Sequence, residues 1–328
     1  MKRHSTLLIV LSSLFLLIAM PSCKRRGSTD RQLQLLNTLD TLKQHDDAIL
    51  LVTFGSTWEQ PHQIFEQLKQ DFAQDFPDRD VFIAFTSEIC IKRSEEKGLG
   101  LFYDPKSWLA ALEYHGYRSV GVQSLHVIAG KEYQDLADDV ALFQSEDPGM
   151  KSYIAGPLLA KQSDLQATAH CLWRTYAQDL ADGATLLLMG HGKPKQYGSK
   201  GNESYTDLEQ YLQQKVSPQC FVATVDMENN LIEDAIERMQ RQGIASGRVI
   251  CVPLMTIAGD HANNDMLGGK GETPEEGSWR AILTEQGYTC SVADCKLVGL
   301  AENPMIVAIW KQQLRQVLSK EHPQKPQS

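Results

Sequence analysis

Runs of consecutive apolar residues alternate along this chain with stretches in which apolar residues recur every three or four positions. The first pattern is typical of strands buried in a parallel sheet, and the second of amphipathic helices. The run AILLVTFG at 48–55 is followed by helical spacing over 64–76. Further apolar runs lie at 81–86 and 119–130, with helical segments between and after them. This βαβα order predicts a parallel sheet with helices on both faces.

The same order repeats in the second part of the chain. The run ATLLLMGHG at 184–192 ends in a glycine turn, as the first run does. Further predicted strands cover 220–226, 248–260 and 289–294. Asn303 and Pro304 form a good N-cap and first turn for a final helix. The sequence thus predicts an α/β protein with two Rossmann-like halves, 47–160 and 161–328, and a ligand cleft between their strand ends.

The first segment has the features of an export signal. Lys2 and Arg3 precede an apolar run of fourteen residues that is too short to span a bilayer as a normal helix. Pro21-Ser22-Cys23 follows, and a small residue before cysteine resembles a bacterial lipoprotein processing site, ordinary signal cleavage nearby being the alternative. We therefore expect a signal peptide at 1–22, lipidation of Cys23, and a tether or leading helix over 23–46. The expected location is the periplasm or outer membrane of a Gram-negative-type bacterium, with membrane attachment through the lipid anchor.

Net charge and the absence of two sequence motifs argue against several classes of function. Forty-one acidic residues against 32 Lys and Arg give a net charge of −9, which argues against nucleic acid as a partner. Cleavage after residue 22 would remove Lys2 and Arg3 and bring the net charge to −11. The chain contains neither a phosphate-binding G-x-x-x-x-G-K-[ST] loop nor a G-x-S-x-G elbow, so nucleotide chemistry and serine hydrolysis are unsupported.

The cysteines form no recognisable metal or redox motif. Besides Cys23 there are six, scattered without a C-x-x-C pair. Cys290 and Cys295 are close in sequence, and an oxidising compartment would permit a disulfide between them. Buried free thiols are the expected state for most of the six.

Polar side chains follow several of the predicted strands. Five of them are expected to converge on the cleft: Glu132, His191, Asp260, His261 and Asp265. A single histidine at a strand end is ordinarily a hydrogen-bonded structural residue, but two at the ends of separate strands favour a ligand role. Imidazoles with a carboxylate suit Co²⁺, Fe²⁺, Ni²⁺ or Zn²⁺. Gly190 and Gly192 would let a flat ligand approach the backbone.

The remaining histidines and Glu132 have structural alternatives. Glu132 can act simply as a partner of a helix dipole. His126 can be a core histidine on a strand face. The histidines expected at the surface are His62, His115, His170 and His322.

Several of these segments resemble one family. LLVTFGST, PDRDVFIAFTS, VQSLHVIAGKEY, LMGHG, VPLMTIAGDHANNDM and GLAENP are similar to motifs of the anaerobic cobalt chelatases of cobalamin synthesis, class II chelatases related to ferrochelatase. The resemblance extends from about Ala48 to Leu318. It implies two Rossmann-like halves and an enzyme that inserts Co²⁺ into the tetrapyrrole sirohydrochlorin without ATP, with Fe²⁺ and Ni²⁺ as alternative metals.

The resemblance also implies a set of site residues. Metal ligands of the family fall on His191, His261 and Glu132, with His191 and Glu132 as the catalytic pair. The family has a further carboxylate after the strand that precedes VDMENN. Asp226 and Glu228 are the nearest matches, although this segment departs from the family pattern.

The substrate and the export signal add two expectations. Sirohydrochlorin carries many carboxylates, and the candidate basic contacts are Lys92, Arg93, Lys131, Lys193, Lys195 and Lys270. Cobalamin synthesis is cytoplasmic, so export favours an alternative function: a lipoprotein that binds haem or another metallated tetrapyrrole for iron or haem acquisition. His126 would then be an axial haem ligand at the subunit interface of a homo-oligomer, and the glycine-rich loop 267–278 would gate the cleft.

Overall fold

The computed structural model describes residues 22–193 and 201–320. The predicted signal peptide, apart from its last residue, lies outside the described residues, as does the side chain of Cys23. Among the helices that are described, none has the length and apolarity needed to cross a bilayer. Lipidation at Cys23 stays a prediction.

The first half is built on a four-stranded parallel sheet in the order β2-β1-β3-β4. Its strands are β1 (Asp47–Thr53), β2 (Arg79–Phe85), β3 (Ser119–Ser124) and β4 (Lys151–Ala155). Its helices are α1 (Ser22–Leu42), α2 (Glu59–Asp75), α3 (Glu88–Glu96), α4 (Pro105–Tyr114) and α5 (Lys131–Ser145). The central strand β1 is buried almost throughout, as its continuous apolar run predicts.

The second half repeats this plan with the strand order β6-β5-β7-β8, again parallel. Its strands are β5 (Thr185–Gly190), β6 (Cys220–Thr224), β7 (Gly247–Pro253) and β8 (Tyr288–Thr289). Its helices are α6 (Gln162–Ala181), α7 (Glu203–Lys215), α8 (Ile232–Arg241), α9 (Trp279–Glu285) and α10 (Pro304–Leu318). A π-helical turn covers Ala262–Met266. The predicted α/β class with two parallel sheets is confirmed.

Two apolar runs are strands only in their first part. The runs 119–130 and 248–260 leave their sheets after Ser124 and Pro253 and continue as loops. Leu125 and Leu254 in these loops are fully buried, so their apolar character reflects packing between the halves rather than a strand. The expectation of strands over the full runs was therefore wrong.

Two shorter elements also differ from the prediction. The segment 289–294 is a strand only at Thr289, and Val292–Asp294 forms a 3-10 turn because the Asp294 carboxylate accepts from the Ser291 backbone N–H (2.9 Å). Strand β4 was not predicted because its sequence KSYIA lies at the edge of the sheet, partly exposed, and lacks a continuous apolar run.

The two ends of the described chain both pack on the first half. Leu35 and Leu39 of α1 are fully buried, so the leading segment belongs to the core and is more than a tether. The final helix α10 lies on β3 and β4. A Cβ at Gly121 of β3 would come 2.9 Å from the Leu314 side chain, so the glycine permits the close packing. The sequence grouped α10 with residues 161–328, whereas in space it covers the first sheet.

Candidate metal and tetrapyrrole site

A cavity of about 360 Å³ lies between the halves at the carboxyl ends of their central strands. Loops after β1, β3, β5 and β7 line it, together with the start of α3. This is the position at which open α/β sheets bind ligands. The predicted residues on its walls are Glu132, His126, His191, Asp260 and His261.

His191 follows β5 in a turn whose glycines are required by close packing. A Cβ at Gly190 would lie 2.5 Å from the Tyr205 ring, and Gly192 has a positive φ of 82°. Gly190 thus lets the turn pack against α7, and Gly192 lets it pack against Met227 after β6, where a Cβ would lie 2.8 Å from the backbone nitrogen. This packing is a reason for the glycines in addition to the ligand approach expected from the sequence. The His191 Nδ1–H donates to the Gly192 carbonyl (3.0 Å). Since a carbonyl can only accept, the lone pair of the neutral imidazole is on Nε2.

His261 is oriented by its own turn. Its Nδ1–H donates to the Asp265 carboxylate (2.5 Å), four residues later. The amide of Asn264 donates to Asp260 (2.9 Å), and that of Asn263 to the Gly259 carbonyl (2.8 Å). The motif GDHANND is thus a turn braced by its own side chains, and it presents His261 with Nε2 as the lone-pair nitrogen. A carboxylate behind a ligating imidazole is a common feature of metal sites.

The structure brings the two imidazoles together. The His191 and His261 ring centroids are 4.8 Å apart and their planes are nearly perpendicular, at 83°. Glu132 lies in the first turn of α5 and reaches the same cavity from the other half. In the described part of the chain, these three residues do not form a group whose ligand atoms all lie within 4.8 Å of one another. At least one pair of their ligand atoms is therefore farther apart than 4.8 Å.

The further carboxylate has one positioned candidate. Asp226 lies after β6, and its Oδ2 is 3.8 Å from the His191 Nδ1. Neither Asp226 nor Glu228 is among the described residues that line the cavity. Asp226 therefore stands beside the His191 imidazole, on the side of the nitrogen that carries the proton.

His126 is in the loop after β3 and not on a strand face. Its Nδ1 is 3.0 Å from the Ser124 hydroxyl, and its Nε2 is buried without a hydrogen-bond partner among the described residues. Burial lowers the pKa of His126 to about 4, so the ring is neutral near pH 7. The residue lines the cavity, which distinguishes it from an ordinary core histidine.

The wall contributed by the first half is apolar and accessible. Phe54, Trp58 and Ile89 line the cavity and are 46%, 38% and 63% exposed. Large apolar side chains left accessible in a cleft indicate a ligand with an apolar face. The sequence did not point to Phe54 or Ile89; the position of Phe54 directly after β1 was the available signal.

One of the six candidate basic contacts lines the cavity. Arg93, near the end of α3, is on its wall. Lys131 instead pairs with Asp135 (2.6 Å), Lys92 is 3.6 Å from Glu96, Lys193 is buried, and Lys270 is exposed away from the cavity wall. Lys195 lies outside the described residues.

Some of the histidines expected at the surface are partly or largely buried. His62 was expected at the surface, but it is half-buried beside Phe102, and its ring bonds the Ser56 carbonyl (2.8 Å) in the loop after β1. His115 is also largely covered, whereas His322 lies outside the described residues.

Tyr205 is fully buried beneath the His191 turn, where it contacts Gly190. Its sequence context gave no signal of this position.

Comparison with known proteins identifies the family. The model of the cobalt chelatase (CbiK) family matches residues 47–319. The sirohydrochlorin cobaltochelatase of Salmonella typhimurium (strain LT2) is 31% identical over 280 residues, covering 83% of this chain and 96% of the relative. The sirohydrochlorin cobaltochelatase CbiKC of Nitratidesulfovibrio vulgaris (strain Hildenborough) is 30% identical over 294 residues, covering 86% and 96%.

Solved structures give the same fold. SirB from Bacillus subtilis with Fe³⁺ aligns with a TM-score of 0.54 at 13% identity, covering 84% of this chain and 98% of that one. The sirohydrochlorin chelatase SirB from Bacillus subtilis subspecies spizizenii, in complex with cobalt, aligns at 0.50 and 14% identity, covering 84% and 97%. With a family model matching most of its length and two relatives at 30% identity or more, this chain belongs to the CbiK family of cobalt chelatases.

Proposed function

We propose that this protein is a chelatase that inserts Co²⁺ into sirohydrochlorin without ATP. The observation that carries the proposal is the imidazole pair of His191 and His261, 4.8 Å apart at a cavity whose facing wall is apolar. The similarity extends over 96% of the length of each of the two sirohydrochlorin cobaltochelatases, which supports the same activity here.

The two histidines would hold the metal substrate. Each has its Nδ1 bonded to an acceptor, which leaves Nε2 to bind Co²⁺. Few protein ligands suit a metal that must be handed on, because every ligand bond has to be replaced by a bond to the macrocycle. Fe²⁺ and Ni²⁺ accept the same donors, so we propose Co²⁺ first and these two as alternative substrates.

Metal insertion also requires proton removal. Co²⁺ replaces two protons on the pyrrole nitrogens, so the site needs acceptors close to the macrocycle. We assign this role to Glu132 and to His191 once the latter releases the metal. Glu132 reaches the cavity from the half opposite the histidines, so it can face the macrocycle from another side.

The macrocycle would lie against the first half. Its apolar faces fit the wall formed by Phe54, Trp58 and Ile89. Its carboxylates need a cation, and Arg93 on the same wall offers a guanidinium that can bind a carboxylate through two hydrogen bonds. This arrangement separates binding of the tetrapyrrole from binding of the metal.

The test compares wild-type protein and the His191→Ala variant with Co²⁺ and sirohydrochlorin. The absorbance change on metallation should show multiple turnovers for the wild type. His191→Ala should lose at least about 100-fold in rate, the usual contribution of a positioned proton-transfer group, while still binding sirohydrochlorin. His170→Ala is the matched control, because this imidazole contacts Tyr211 on the outside of the second half. Turnover that survives His191→Ala would contradict the assigned mechanism.

A second candidate function is carriage of haem. It is favoured by His126, which lines the cavity. The Nε2 of this residue is buried and has no hydrogen-bond partner among the described residues. A haem titration distinguishes the two: a carrier should bind haem stoichiometrically, lose the axial-histidine spectrum in His126→Ala, and give no multiple turnover with Co²⁺. An interface role for His126 would in addition require a homo-oligomer, which sedimentation would detect.

We also propose export and lipidation at Cys23, on the strength of the apolar run and the small residue before the cysteine. Cys23→Ser should give a soluble or unprocessed product. A Cys23→Ser protein that still carries lipid label in the membrane fraction would argue against it. A single acyl chain anchors only marginally, so firm attachment implies more than one chain.

A further inference from the structure

Three cysteines that play no part in the cleft come together in the core of the second half. Cys251 lies on β7, Cys290 directly follows β8, and Cys295 forms an isolated bridge to Cys251. All three are buried. Within the described ranges, theirs is the one group of three or more candidate metal-binding side chains whose ligand atoms all lie within 4.8 Å of one another.

The sulfur separations match those of a thiolate metal centre. The Cys290 Sγ is 3.7 Å from the Cys295 Sγ and 3.9 Å from the Cys251 Sγ. Two metal–sulfur bonds of about 2.3 Å, meeting at a tetrahedral or trigonal angle, place their sulfur atoms roughly 3.8 to 4.0 Å apart. The Cys251 and Cys295 sulfur atoms are also within 4.8 Å of each other, so all three thiols lie within reach of one ion.

We propose that Cys251, Cys290 and Cys295 form a second metal site, which binds a thiophilic divalent ion of the Zn²⁺ type. Thiolates select soft and borderline ions such as Zn²⁺ and Cu⁺ over the hard ions that oxygen ligands bind. Sequence analysis found no zinc motif, because the ligands are 39 and 5 residues apart and meet only through the pairing of β7 with the C-terminal segment.

Charge favours a divalent ion over Cu⁺. Three thiolates with a divalent ion carry a net charge of −1, and with Cu⁺ they carry −2. Arg280 is a buried cation close enough to the cluster to act on Cys295 electrostatically. Its single positive charge balances the divalent site. The nearby carboxylate of Asp294 is already paired with Arg248 (2.8 Å). The charge of Arg280 is therefore available to balance the negative charge of the metal site.

The position of the cluster gives the ion a structural role. It would tie β7 to the segment after β8, and the Cys295 Sγ is also 4.0 Å from the Met266 carbonyl. Met266 ends the π-helical turn that follows His261. The ion would thus hold the back of the turn that presents one of the cleft histidines, without lying in the cleft itself.

The experiment uses the full chain, reduced and metal-free, titrated with Cd²⁺ as a probe under anaerobic conditions. Wild-type protein should show a thiolate-to-metal charge-transfer band that saturates at one equivalent. X-ray absorption of the Cd²⁺ complex should show sulfur neighbours near three in number. Zn²⁺ should compete for the band.

Matched variants locate the site. Cys295→Ser should lose most of the band, whereas Cys220→Ser, at a buried cysteine of β6, should retain it. The His191→Ala/His261→Ala double variant should also retain it, because the cleft ligands are nitrogen atoms. Absence of a stoichiometric band in reduced wild-type protein would overturn the proposal even if Cys295→Ser does not fold. A band that persists in folded Cys295→Ser, or coordination by fewer than three sulfurs, would overturn it as well.

Discussion

The two halves of the molecule share a backbone plan but present different side chains at equivalent places. The loop after β3 reads LHVIAGKE and the loop after β7 reads LMTIAGDH, so Glu132 and His261 each lie eight residues beyond the end of a strand. Likewise, Phe54 and His191 each follow a central strand and precede a glycine with positive φ. Where the second half has an imidazole, the first half has a phenyl ring or a carboxylate.

A duplicated architecture can thus divide one task between its two halves. The Phe54 and His191 rings meet across the cleft, with centroids 6.5 Å apart. One wall therefore offers an apolar surface and the other offers nitrogen ligands, although the strands that carry them are arranged alike. The comparison predicts that variants of His191 and His261 in the second half affect the metal, and that variants of the apolar wall of the first half affect the tetrapyrrole.

The strongest test removes both imidazoles of the second half. His191→Ala/His261→Ala should weaken Co²⁺ binding by about 1,000-fold or more, because loss of even one supporting partner of a metal ligand costs about 10- to 100-fold. Sirohydrochlorin affinity should change less than about threefold. Calorimetry with Co²⁺ and fluorescence with the tetrapyrrole measure the two separately. Wild-type Co²⁺ affinity in the double variant would mean that the site is misplaced.

The next test concerns the buried histidine of the first half. The pKa of His126 is lowered to about 4 in the folded state by burial, so the unfolded chain binds the proton first as pH falls. Stability should therefore be lost between about pH 6.5 and pH 4, by up to about 3 kcal/mol. Urea unfolding at pH 7 and pH 4.5 should show a smaller loss for His126→Asn than for wild type. Equal losses in the two proteins would contradict this environment for His126.

A third test separates the orienting carboxylate from the ligand. Asp265→Asn keeps the side-chain shape but removes the charge that holds His261 Nδ1–H. Co²⁺ affinity should fall about 10- to 100-fold, as for other partners of metal-bound histidines. Asp135→Asn, at a carboxylate that pairs with Lys131 on α5, is the control. An Asp265→Asn protein with unchanged Co²⁺ affinity would show that His261 needs no such support.

The smallest expected effect lies on the apolar wall. Trp58→Ala should weaken sirohydrochlorin binding by about tenfold, since only part of the indole is accessible to a ligand and burial of a large side chain contributes about 1.5–3 kcal/mol. Co²⁺ affinity should not change. Leu142→Ala, at an exposed leucine of α5, serves as the control. If Trp58→Ala instead weakened Co²⁺ binding, the division between the walls would fail.

Much of the fold and part of the site could be predicted because both follow from local patterns. Continuous apolar runs marked the central strands, and the residues just beyond them identified His191 and His261. The same rule overextended the strands through Leu125 and Leu254, because a run of apolar residues does not distinguish burial in a sheet from burial between two halves. Only the folded chain could show which predicted residues meet.

The unpredicted features depend on contacts distant in sequence. Ile89 reaches the cavity because α3 passes its edge, and nothing in its local sequence distinguishes it from a surface residue of another helix. The three-cysteine cluster joins positions up to 44 residues apart, from Cys251 to Cys295, through strand pairing alone. Spacing rules for metal sites detect local pairs and therefore miss such a group.

The return of α10 to the first sheet has a consequence for biosynthesis. Trp310 and Leu314 of this helix are fully buried, and Leu314 packs against β3 at Gly121. As the chain leaves the ribosome, the first half emerges early but lacks the helix that covers β3 and β4 until nearly all of the second half has followed. The amino-terminal half therefore cannot complete its core as an independent cotranslational unit, and the two halves must mature together.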